Sequence, residues 1–124
     1  MDLRKLEEVP AFLTKDGSEI RELLAHRNSC IRRQSLAEAR LPTGASTTPH
    51  YHPVTEEIYY ITAGSGRLQI ESEICDVEAG DAIAIPPGAR HQITNTGPQV
   101  LKLLCCCAPA YEHDDTVLVA DWPE

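Results

Sequence analysis

Two imidazoles two residues apart, in His50-Tyr51-His52, share one face of an extended chain and offer paired nitrogen donors. Glu57 stands five residues beyond His52, and His91 stands thirty-nine beyond it, after the stiff turn Pro86-Pro87-Gly88. Converging from separate strands, three imidazoles and a carboxylate make a mixed N/O site for a divalent transition metal. Each fragment alone is weak. An HxH pair without further donors more often binds no metal, and a histidine behind a Pro-Gly turn is more often a turn or surface residue. Adjacent Glu56 and Glu57 must also point to opposite faces of a strand, so the residues by themselves leave open which one is the ligand.

The elements that must position these donors are strands. Turn clusters recur at Pro42-Thr43-Gly44, Gly64-Ser65-Gly66, Glu78-Ala79-Gly80-Asp81, Pro86-Pro87-Gly88 and Asn95-Thr96-Gly97-Pro98. Between them lie short runs of β character, such as Ile58-Tyr59-Tyr60-Ile61-Thr62 and Ala82-Ile83-Ala84-Ile85. No long helical pattern appears after residue 30, so the expectation is an all-β sandwich or barrel in a single domain. Residues 1–28 are set apart as an N-terminal strap and 29–124 as the barrel. Within the strap, Ser18 to Leu24 fits a helix by its Ile20, Leu23 and Leu24 spacing, or a strand opening after Asp16-Gly17. Both remain open.

Spacing joins the fragments. Gly44, five residues, His50-Tyr51-His52, four residues, Glu57, six residues and Gly64 is similar to the first cupin motif. Gly80, five residues, Pro86-Pro87-Gly88, two residues, His91, three residues and Asn95 resembles the second, fifteen residues further on. The resemblance implies a cupin: an all-β double-stranded β-helix, or jelly-roll barrel, with a metal inside. By position it carries the ligands to His50, His52, Glu57 and His91, selecting Glu57 over Glu56. Such a donor set suits one divalent ion of Fe, Mn, Ni, Zn or Cu, with about two positions open if the ion is octahedral.

Parity then suggests neighbours. Ile31, Arg33, Ser35, Ala37, Ala39 and Leu41 share the apolar face, which puts Arg33 inside to bind a substrate carboxylate or phosphate; a bulge would put Gln34 there instead. Tyr59 lies on the Glu57 side, as a general acid near the metal or as core filling. With Lys102 in solvent, Cys105 and Cys107 face inward as small buried hydrophobes, the more common state of a free thiol. The run Tyr111-Glu112-His113-Asp114-Asp115 is expected as a solvated acidic loop, with closure over the barrel mouth as the alternative.

Composition bounds the partners. The net charge is −8 in 124 residues, and residues 41–124 carry three Lys/Arg against twelve Asp/Glu, a poor surface for duplex nucleic acid. No apolar run is long enough to span a bilayer, and Met1 to Glu8 has no secretory h-region. Five cysteines without a CxxC spacing suit reduced thiols in a cytoplasm. The function expected is therefore a metal-dependent enzyme of isomerase, decarboxylase, lyase or dioxygenase type. Its substrate would be a small polar metabolite, a sugar derivative or hydroxy/keto acid. A non-catalytic ligand-binding or metal-stabilised module is the alternative. Proteins this chain resembles often pair through such N-terminal segments, so a homodimer is expected.

Overall fold

The structure is a computed structural model that describes residues 1–120 and Trp122; the last part of the segment 29–124 otherwise lies outside the described residues. Among the described residues, eleven strands form two antiparallel sheets, with short 3-10 turns at Leu6–Glu8 and His113–Asp115. The larger sheet contains β1 (Phe12–Leu13), β2 (Glu19–Leu24), β3 (Ser35–Leu41), β5 (Glu56–Ala63), β8 (Ala82–Ile85) and β10 (Leu101–Ala108). Its order is β1-β2-β3-β10-β5-β8. The smaller contains β4 (His50–Tyr51), β6 (Ser65–Ile70), β7 (Glu73–Glu78), β9 (His91–Asn95) and β11 (Val117–Leu118), in the order β11-β4-β9-β6-β7. This is the all-β jelly-roll expected.

The segment left open between helix and strand is β2. It pairs with β3 from Glu19↔Arg40 to Leu24↔Leu36, so a tertiary partner decides what local spacing could not. The strap is thus partly built into the larger sheet.

Alternation sorts the side chains. On β5, Glu57, Tyr59 and Ile61 are buried while Glu56, Ile58 and Tyr60 are exposed; on β10, Leu101, Leu103, Cys105 and Cys107 are buried. The register sets these faces side by side as Ile61↔Leu103, Tyr59↔Cys105 and Glu57↔Cys107. Moving along the barrel, the interior therefore changes from Leu and Ile, through Tyr and Cys, to a carboxylate. The apolar end, with Leu41, Ile61, Ile93, Leu101 and Leu103 all at most 2% exposed, anchors the fold. Each such side chain contributes about 1.5–3 kcal/mol by leaving water. The other end is free to carry polar groups.

Two motif residues act as joints. Gly64 adopts φ +86°, and a Cβ there would meet the Val100 carbonyl oxygen at 2.9 Å. Buried Asn95 donates through Nδ2 to the Leu41 and Gln99 carbonyls and accepts from the Gly97 N–H, tying β9 to the ends of neighbouring strands.

Candidate metal centre

His50 on β4 lies directly opposite His91 on β9, and His52 follows just beyond the end of β4. The ring centroids are 4.2 Å apart for His50 and His91, 5.1 Å for His50 and His52, and 5.5 Å for His52 and His91. One ring nitrogen from each lies within 4.8 Å of the others, and all three residues are buried. Strand pairing brings the first two together, and the turn after Pro86 secures the third position, since the Gly88 N–H donates to the His52 carbonyl at 2.8 Å.

Each imidazole is oriented from behind. The Nδ1–H of His50 donates to the Thr48 carbonyl at 2.7 Å, that of His91 to Ala89 at 2.9 Å, and that of His52 to Asp115 at 3.1 Å. A carbonyl oxygen only accepts, so Nδ1 carries a proton, and each ring in its neutral form presents a bare Nε2. Three such nitrogens converge. Backbone carbonyls behind ligating imidazoles are the usual means of fixing tautomer and direction.

Glu57 completes one side, 6% exposed, with Oε1 3.4 Å from His52 Nε2 and 3.6 Å from His91 Nε2. Oε2 accepts from the Cys107 thiol at 3.4 Å. Burial works against the Glu57 charge, but the adjacent His52 and His91 outweigh it and hold the pKa down at about 2. For His50, burial and then the charge of His91 push the pKa down to about 4, leaving the ring neutral. In His52, burial opposes the charged form, yet Glu57 and the Asp115 carbonyl prevail and the pKa is raised.

Glu57 Oε1 and His91 Nε2 are buried without a hydrogen-bond partner. An acceptor and a bare nitrogen, both withdrawn from water and turned toward each other, are costly unless something positive lies between them. Three imidazoles and a carboxylate fit a divalent cation, and the three-histidine group could hold one.

The other expected residues fall differently. Tyr59 is buried, lines the cavity, and sits edge-on to His91 with centroids 5.9 Å apart. Burial, and then the Glu57 charge, raise its pKa well above the usual phenol value. Arg33 is exposed, outside β3 and outside the cavity lining. The register that pairs Ser35 with Cys107 would set Arg33 opposite Pro109, which has no N–H to continue the ladder, so the alternation stops short of it. Cys105 and Cys107 do face inward, and burial raises both thiol pKa values. The acidic loop is more than a solvated surface: Tyr111 lines the cavity, and Asp115 accepts from the Val54 and Thr55 N–H groups as well as from His52.

Asp16 was missed. Its Oδ2 lies 3.4 Å from His50 Nε2, on the turn between β1 and β2. In the sequence Asp16-Gly17 signals only a turn, and no local pattern ties it to a histidine thirty-four residues away.

A family model described as a cupin domain matches residues 37–107, more than half of the chain. The chain is a cupin. An uncharacterised protein of Methanocaldococcus jannaschii is 45% identical to this cupin over 113 residues, covering 91% of this chain and 90% of that one. A Thermotoga maritima crystal structure described as a predicted oxalate decarboxylase is 26% identical, with TM-score 0.76 over 86% of this chain and 98% of that one. The polyketide cyclase RemF of Streptomyces resistomycificus shares the fold at TM-score 0.82 and 24% identity, covering 96% of this chain and 85% of that one.

Proposed function

We propose that this cupin is a mononuclear metal-dependent enzyme, with His50, His52, His91 and Glu57 as ligands, acting on a small organic molecule in the cavity beside them. The observation that carries this reading is the pair of buried, unpartnered atoms, Glu57 Oε1 and His91 Nε2, facing each other among imidazoles already oriented by carbonyls. Bound there, a divalent ion would supply Lewis-acid polarisation of a carbonyl or stabilisation of an enolate. The chain supplies the rest. The inward strands shield the site from water, and the Tyr59 phenol, kept protonated by burial and the nearby Glu57 charge, suits a proton donor rather than a base. Likeness to the Thermotoga maritima protein, described as a predicted oxalate decarboxylase, supports an enzyme over a passive barrel. Isomerase, decarboxylase, lyase and dioxygenase chemistry all remain within the proposal. Of the two substrate classes, the hydroxy or keto acid loses its expected partner with Arg33 in solvent.

The homodimer belongs to the same proposal. β1 is an edge strand, and its two residues Phe12 and Leu13 are exposed at 40% and 73%, an apolar edge suited to a second copy. The test of function is turnover against a panel of sugars, uronates and keto acids, before and after chelation. Activity lost with the metal and restored by adding it back is the expected result. Stoichiometric metal with no turnover on any of them would favour the binding module.

A further inference from the structure

A cavity opens next to the histidines. Phe12, Ile20, Leu41, Ile93 and Leu103 supply much of its wall. Among the described residues that line it there is no Lys or Arg, but there are three carboxylates: Asp16, Glu22 and Glu57. Arg27, which bonds the lining residue Glu22, is already committed, also bonding both oxygens of Glu112 and the Tyr111 carbonyl. So no Lys or Arg of the described wall is there to pair with an anion.

Asp16 is held with unusual firmness for a turn residue. Its Oδ1 accepts from the Thr14 hydroxyl at 2.7 Å, the Ser18 hydroxyl at 2.7 Å and the Ser18 N–H at 2.9 Å. The turn itself is fastened on two sides, by the Thr48 N–H donating to the Asp16 carbonyl at 2.8 Å and by Lys15 Nζ donating to the Thr116 carbonyl at 2.8 Å. Gly17, at φ +89°, lets the chain reverse there. With Oδ1 committed to the turn, Oδ2 is left facing His50 Nε2 at 3.4 Å, on the cavity side of the histidines and away from Glu57, which touches His52 and His91.

Building on the metal-dependent reading above, we propose that Asp16 is a substrate-selecting residue, and that the cavity takes an uncharged molecule with an apolar body and a hydroxyl group that donates to Asp16 Oδ2. Charge balance is the reason. A divalent ion together with Glu57 and Asp16 sums to zero, so the site as a whole has no net charge with which to draw an anion in. Without the ion, the two carboxylates disfavour an anion still more. A hydroxyl satisfies the buried-side acceptor without bringing charge, and the Ile, Leu and Phe wall favours the carbon skeleton. Glu22 stands apart from this balance, paired with Arg27, which it shares with Glu112.

The test uses phenol and benzoate, the same ring with a neutral hydroxyl or an anionic carboxylate. Each is titrated by NMR at pH 7 into the full chain, both chelator-treated and zinc-treated, as wild type and as Asp16→Asn. Wild-type protein should bind phenol at least about tenfold more tightly than benzoate in the chelator-treated form, the margin one hydrogen bond to a charged acceptor provides, while the zinc-treated form reports metal uptake. Asp16→Asn should narrow that ratio at least about fivefold, since the amide neither attracts the hydroxyl as strongly nor repels the carboxylate. No phenol binding, benzoate binding as tightly as phenol to wild type, or an unchanged ratio in Asp16→Asn would each overturn the proposal. The wild-type comparison stands even if the variant fails to fold. Failure to take up zinc alongside a phenol preference would sink the metal reading alone; zinc uptake alongside a benzoate preference would sink this inference alone.

Discussion

Glu56 and Glu57 are indistinguishable by composition, and the backbone separates them completely. Glu57 is buried beside two imidazoles, whereas Glu56 is exposed. Glu57→Gln removes an anionic donor and should weaken divalent-metal binding by at least about tenfold. Glu56→Gln should change stability by less than about 0.5 kcal/mol with metal content preserved; equal metal loss in both, read by titration with a chromophoric chelator, would contradict the alternation. A second consequence concerns pH. His50 has its pKa pushed down to about 4 from an ordinary 6.5, so the unfolded chain takes up a proton first as pH falls. Stability of the metal-free protein is therefore fully present above about 6.5 and declines toward pH 4, by up to about 3 kcal/mol. The raised pKa of His52 does not offset this, because its contribution is already complete below 6.5. Thermal melts of chelated protein across that window check it, and a Tm that rises on acidification would contradict it. At this scale the motif spacing singled out His50, His52, Glu57 and His91, which the structure brings together, because each has a fixed distance to its turn. It could not disclose Asp16, whose place depends on a strand pairing that joins the two ends of the larger sheet's first three members.

Period-2 alternation made the interiors of β5 and β10 legible, down to the inward Cys105 and Cys107. It failed at Arg33, where parity continued on paper after the ladder had ended at Ser35↔Cys107. It was silent on β2, whose half-buried side chains give no clean alternation and whose identity comes from pairing with β3. The turns carry their own test. Gly64 and Gly88 both have positive φ, +86° and +81°, but only Gly64 is crowded, with Val100 and Leu101 backbone against its missing side chain. Gly64→Ala should thus cost about 2 kcal/mol or more, against about 1 kcal/mol for Gly88→Ala, where open space lets strain alone act. Urea unfolding of the two variants measures the difference, and equal losses would mean the Gly64 approach is softer than drawn.

At the scale of the molecule, one barrel carries a gradient from a closed apolar end to a polar end with a mouth, and every proposed function sits at the second. The twelve acidic residues in 41–124 make a poor surface for duplex nucleic acid, but charge totals could not say which carboxylates face inward. No helix among the described residues is long and apolar enough to cross a membrane. Through the exposed edge at Phe12 and Leu13, the chain should behave as a homodimer, and a monomeric mass by light scattering at tens of micromolar would count against that.

The central claim is that three carbonyl-oriented imidazoles and Glu57 hold a metal, and elemental analysis tests it most directly. Protein purified without a histidine tag, then equilibrated with equimolar zinc or manganese and desalted, should retain about one ion per chain. His50→Ala and His91→Ala, checked for fold by circular dichroism, should each lose most of it. Wild-type stoichiometry in both variants, or a wild-type protein that stays empty, would contradict the account.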